Sequence, residues 1–219
     1  MHRFLITGDS WSQGEWVHYP QDGQNPNPHF GLTQYLREDG HYVDNRGRGG
    51  FNNIESLEQL RDDDDYEHII LFYTDPMRHG TEEDFDKYMP YDVAKQNQQY
   101  VSDILEQVRK RSLVTIVGGC AKYTLTTGYD YVVPSITELL VPSFVDGPYM
   151  ISWEWERYCK KDKQQTFEFK QQMVEIYRQG DLRQRVWHEN PELFFPDGLH
   201  ANRKGHIILY EYLKNLWKL

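Results

Sequence analysis

A serine near one end of this chain, and an aspartate and a histidine near the other, are the residue types that together turn a hydroxyl into a nucleophile. Ser10 lies in Gly8-Asp9-Ser10-Trp11-Ser12-Gln13-Gly14, directly after the apolar run Phe4-Leu5-Ile6. Asp197 and His200 lie in Asp197-Gly198-Leu199-His200, just ahead of an apolar helical stretch. A serine hydroxyl attacks poorly until a neighbouring base takes its proton. Histidine, with an ordinary pKa of about 6.5, can take that proton near neutrality and return it to a leaving group. A carboxylate that reaches the same imidazole can fix its tautomer. Each half also has a plainer reading. Asp9 or Ser10 can cap the next helix, and Asp197-Gly198 can form a turn with His200 at the head of the last helix. The joint presence of both halves argues for chemistry: hydrolysis or transfer of an acyl group. Almost the whole chain separates them, so only the fold can bring them together.

The elements that must do this alternate along the sequence. Strands are expected at Phe4–Thr7, His41–Asp44, Glu67–Tyr73, Leu113–Val117 and Tyr129–Val133. Helices are expected at Leu32–Arg37, Ile54–Leu60, Asp92–Arg111, Phe167–Gln179 and His206–Trp217. Strands alternating with helices predict an α/β domain with a parallel sheet and helices on both faces. Ser10 would then stand beyond the carboxyl end of the first strand, where open parallel sheets bind ligands. A chain of 219 residues suits one such domain, here taken as 1–219. Two stretches exceed the simple alternation, at about 75–91 and 142–165. Long excursions of this kind are often functional loops.

These segments resemble the sequence blocks of the SGNH hydrolases, also called GDSL esterases and lipases. Gly8 through Gly14 fits the first block, Gly-Asp-Ser-x-Ser/Thr-x-Gly. Asn45-Arg46-Gly47-Arg48-Gly49-Gly50 fits the second, Asn-x-Gly-x-x-Gly. Asp197 to His200 fits the last, Asp-x-x-His, and Gly205-His206 follows it as in many members. The third block, Gly-x-Asn-Asp, is replaced by Phe72-Tyr73-Thr74-Asp75. The resemblance implies a three-layer α/β/α sandwich of flavodoxin-like type and a triad of Ser10, His200 and Asp197. It also implies an oxyanion hole built from the backbone N–H groups of Ser10 and Gly50 and a side chain at Thr74. Threonine is shorter than asparagine, so Thr74 predicts weakened catalysis, a substitute donor, or none. Asn52, Asn53 and Arg48 are the candidate substitutes. Asp75 is expected to tie down the loop after the strand, and His206 to lie on a helix surface.

Composition narrows the partners. Net charge is -10, and no large basic face is present for nucleic acid. The same charge disfavours anionic membranes. No apolar run approaches the ~20 residues needed to span a bilayer, and Met1-His2-Arg3-Phe4 runs straight into a strand without a secretory leader. A cytoplasmic protein is therefore expected, and a virion component would read the same way. Cys120 and Cys159 make no disulfide framework. Asp62 to Asp65 reads as a solvated charge run, and no Cys/His cluster has zinc spacing. No metal or other cofactor is expected. Sixteen tyrosines in a polar chain favour a small acyl group on a sugar or other polar alcohol as substrate. An acyltransferase using the same residues, and a binding or structural module on the same fold, remain the alternatives.

Overall fold

The computed structural model describes residues 1–14, 29–61, 65–79, 84, 88–119, 122, 125–147, 167–195 and 200–219. Five strands form one sheet: β1 Arg3–Gly8, β2 Tyr42–Asn45, β3 His68–Tyr73, β4 Leu113–Gly118 and β5 Tyr131–Val133. Their order is β2-β1-β3-β4-β5, and every pairing is parallel. The chain leaves β1 for one neighbour and returns on its other side to β3. The carboxyl ends of β1 and β3 therefore flank the point where the winding reverses, the usual ligand crevice of such sheets.

Side chains alternate across the pleat, so each strand feeds two cores. Phe4, Ile6, Ile70, Phe72, Val117 and Val133 point to one face. That face is covered by α1 Gly31–Glu38, α4 Ile136–Leu140, the end of α5 Phe167–Glu189 and α6 Arg203–Trp217. Leu5, Ile69, Leu71, Tyr73, Val114 and Ile116 point to the other. They meet α2 Asn53–Leu57 and α3 Pro90–Val108. Burial of both faces explains why β1 and β3 read as continuous apolar runs instead of alternating ones. The result is a three-layer α/β/α sandwich.

The main departures from the sequence expectation are two helices and one side chain. Helix α5 runs ten residues past Gln179, through Gly180 and Asp181, to Glu189. Its second half carries Arg183, which forms a fully buried ion pair with Asp146, and Trp187, whose Nε1 donates to Thr137 Oγ1 at 3.0 Å. Tertiary contacts thus carry the helix through glycine, a poor helix former. Helix α4 has no counterpart among the expected helices. It is one short turn and a half, capped by Ser135 Oγ accepting from Glu138 N. His206 is buried at 1% exposure, not on the surface of α6, because α6 turns that side toward α1. The first long excursion opens with a tight helical turn, Pro76–His79, and ends in the first turn of α3, where Pro90 is preorganised. Most of the second, like Cys120, Cys159 and most of the acidic run, lies outside the described residues.

Buried histidines give the fold a pH dependence. His68 stacks on Phe4 at 4.7 Å between ring centroids and lies 5.9 Å from Trp217. Burial, reinforced by His2 and His41 and opposed by Glu67, lowers its pKa to about 4. Burial, reinforced by His29 and His200, does the same to His206, also to about 4. Both are neutral in the fold but titrate near 6.5 when unfolded. Between those values the unfolded chain binds protons that the fold refuses, so stability falls as pH drops from 7 toward 4. Urea unfolding at pH 5 should give about 2 kcal/mol less stability per histidine than at pH 7.5. His206→Leu should remove its share of that difference. Equal stability of the wild type at the two pH values would contradict this account.

Candidate active site

The nucleophile side of the site is set by a close strand approach. Gly8 ends β1 at φ +142°, and a Cβ there would lie 2.5 Å from Phe72 Cβ on β3. Glycine lets the chain turn up at this point. Asp9 then caps the tight turn Ser10–Gln13: its Oδ1 accepts from Trp11 N at 3.1 Å, and its carbonyl accepts from Ser12 N at 3.1 Å and Ser12 Oγ at 2.6 Å. Capping in this segment therefore belongs to Asp9, which leaves the Ser10 hydroxyl for other work.

The second block braces this turn from the β2 side. Asn45 Nδ2 donates to Ser12 O at 2.7 Å and to Thr33 Oγ1 at 2.8 Å, while its Oδ1 accepts from Gly47 N at 3.0 Å. Gly47 lies so close that a Cβ would sit 1.8 Å from Ser12 Oγ. Arg48 N donates to Gly8 O at 3.0 Å, and Phe51 N closes a turn onto Arg48 O at 3.2 Å. Gly50 is in that turn, exposed, with φ +90°.

The base side is held by a short antiparallel pairing. Phe195 N donates to His200 O at 2.8 Å, Asn202 N donates to Leu193 O at 2.9 Å, and Phe194 bridges Ala201. Asn202 caps α6 by accepting from Gly205 N at 3.1 Å, so capping is not the job of His200. Trp11 lies between Trp187, at 5.9 Å, and the His200 ring, at 5.7 Å, and supports the imidazole. The outcome is a hydrogen bond of 2.7 Å between Ser10 Oγ and His200 Nε2. Ser10 is 7% exposed and His200 4%, so the pair is largely shielded from competing water. Asp197 lies outside the described residues, within the four-residue connection 196–199 that joins Phe195 to His200.

The third block has its own scaffold. Thr74 and Asp75 are buried at 1% and 3% exposure. Asn53 clamps the Thr74 backbone: its Oδ1 accepts from Thr74 N at 2.8 Å, and its Nδ2 donates to Thr74 O at 2.9 Å. Asn52 caps α2 in a reciprocal capping box with Glu55. The Arg48 guanidinium lies over the Phe51 ring, 5.9 Å from its centroid. Asn52 and Asn53, two of the three substitute donors suggested by sequence, are thus engaged in building the scaffold. Asp75 Oδ1 accepts from Met77 N at 2.9 Å and starts the turn Pro76–His79. The residue that sequence reading missed is Arg78. Its Nη1 lies 3.4 Å from both Thr74 Oγ1 and Asp9 Oδ2. No local pattern marks it, because Thr74 stands outside the turn Pro76–His79 that carries Arg78.

Among the described residues no cluster of His, Cys, Asp and Glu could hold a metal ion, and no helix is long and apolar enough to cross a membrane. No family model matches the chain, and no curated protein matches it. Solved structures do. The psychrotrophic esterase EstA from Pseudoalteromonas is 15% identical, with 100% of each chain covered and a TM-score of 0.45. A catalytic mutant of Axe2, an acetylxylan esterase from Geobacillus stearothermophilus, is 13% identical over 98% of this chain and 93% of the other, with a TM-score of 0.46. A lipolytic G-D-S-L family protein from Veillonella parvula is 12% identical over 99% and 98%, with a TM-score of 0.45.

The Asn53 clamp should contribute measurably to stability. Asn53→Ala removes the partner of a buried N–H and a buried C=O, and is expected to cost roughly 2–4 kcal/mol in chemical denaturation. A loss below about 0.5 kcal/mol would show that the clamp is dispensable.

Proposed function

We propose that this protein is a serine ester hydrolase. The observation that carries the reading is the 2.7 Å hydrogen bond from Ser10 Oγ to His200 Nε2 at the switch point of the sheet. Ser10 Oγ attacks the ester carbonyl carbon, the carbonyl π pair moves onto its oxygen, and the Oγ proton passes to His200 Nε2. The tetrahedral intermediate then collapses, the bond to the alcohol oxygen breaks, and that oxygen takes the proton from Nε2. Water, deprotonated by His200, attacks the acyl-serine in the same way and releases the acid. Asp197 is the carboxylate assigned to hold Nδ1–H of His200, so that Nε2 presents its lone pair to Ser10. The backbone N–H groups of Ser10 and Gly50 are assigned to the developing oxyanion, with Thr74 at the third position.

The substrate class we favour is a small acyl group on a sugar or other polar alcohol, in keeping with a polar, tyrosine-rich chain. An acyltransferase would use the same steps, with an alcohol in place of water. Turnover of p-nitrophenyl acetate with and without added glycerol separates the two, since a transferase yields acetylated glycerol. Ser10→Ala and His200→Ala should each reduce ester hydrolysis to near background, a loss on the order of 10⁴-fold or more. Ser10→Ala should cost about 1 kcal/mol or less of stability, because it deletes one hydrogen bond and little volume. Full activity in the Ser10→Ala protein would overturn the assignment.

A further inference from the structure

Among the described residues one cation is poised over the third oxyanion position, and the chemistry assigned above does not use it. Gly8 on β1 is level with Phe72 on β3. Two residues beyond that pair stand Ser10 on one chain segment and Thr74 on the other. Arg78 bridges these two segments. Its Nη1 is 3.4 Å from Asp9 Oδ2, next to the nucleophile, and 3.4 Å from Thr74 Oγ1. The Asp9 side chain is 2% exposed and the Arg78 side chain 27%, so the carboxylate is sunk in the protein while the arginine side chain reaches solvent. Both contacts fall on Nη1, and a guanidinium has five donors in a planar fork. Among the described residues Nη2 makes no hydrogen bond, which leaves it for a ligand that enters from the solvent side.

From this geometry we propose that Arg78 is the side-chain donor of the oxyanion hole, in the place that Thr74 is too short to fill. This rests on the reading of Ser10 as nucleophile. As Ser10 Oγ bonds the carbonyl carbon, the electron pair that moves onto oxygen is met by a guanidinium N–H, and no proton leaves Arg78. The Asp9 contact aims the fork and offsets the cost of holding a cation at a half-buried site. The Thr74 hydroxyl accepts from Arg78 and so acts as a positioning group. Asn53 supports the arrangement by fixing the Thr74 backbone.

The test is kcat/KM for p-nitrophenyl acetate in Arg78 variants. Arg78→Ala should lose roughly 100- to 1000-fold, the usual cost of one oxyanion donor. Methylguanidinium added to that variant should restore activity saturably, which no loss of scaffold would allow. Arg78→Lys keeps the charge beside Asp9 without the fork, and should fold like wild type yet stay below it in kcat/KM. Thr74→Val, which removes the aiming hydroxyl at similar volume, should lose less than Arg78→Ala. An active wild type with an equally active Arg78→Ala protein overturns the role of Arg78 and leaves Ser10 untouched. The role of Arg78 is overturned equally if the Lys variant matches wild type and methylguanidinium restores nothing to the Ala variant. A wild type that turns over no ester, whatever stands at 78, overturns the Ser10 reading and this inference with it.

Discussion

The hydrogen bond between Ser10 Oγ and His200 Nε2 joins residues 190 apart in sequence, and the fold is arranged so that it forms. One bond of this kind contributes only about 1 kcal/mol net. It cannot repay the entropy of closing so long a loop, so packing has to bring its ends together. The first strand is an inner strand of the sheet, paired on both sides, and the last helix packs on it. Phe4 of β1 packs 5.3 Å from Trp217 of α6, whose Nε1 donates to Thr115 Oγ1 on β4 at 2.9 Å. Burial of Leu209, Leu213 and Trp217, at roughly 1.5–3 kcal/mol each, anchors the C-terminal end of the chain against the strand that carries the serine.

Once the ends are held, the site depends on backbone being pinned by side-chain amides. Asn45 and Asn53 do matching work on opposite sides of the serine. Asn45 ties the serine turn to the loop after β2, and Asn53 ties α2 to the residue after β3. Neither amide faces outward for a ligand. Both make rigid the loops from which donors must point, and rigidity is what makes an oxyanion hole effective. The positive charge enters separately, through Arg78, held by the buried carboxylate next to the nucleophile.

Much of this is legible in the sequence, for physical reasons. β1 and β3 carry unbroken apolar runs because both their faces are covered, and Ser10 stands just beyond the end of the first of them. The Asp-x-x-His segment precedes a strongly amphipathic helix, which fixes His200 just ahead of its cap. Less legible are features that depend on distant contacts. The expected helix ends at Gln179, but the buried pairing of Arg183 with Asp146 holds α5 through Gly180 and Asp181 to Glu189. His206 reads as a surface residue because histidine usually is one, and its burial follows from how α6 meets α1. Thr74 reads as a missing donor, because nothing local reveals that Arg78, four residues later, reaches back to it and to Asp9.

The central claim is that the Ser10–His200 pair makes Ser10 a nucleophile. Covalent labelling tests it without knowledge of the substrate. A fluorophosphonate probe, followed by mass spectrometry of the digested protein, should place the adduct on the peptide containing Ser10. His200→Ala should slow that labelling by at least ~100-fold while leaving the protein folded. Labelling of another residue, or labelling of Ser10 at the same rate without His200, would contradict the account.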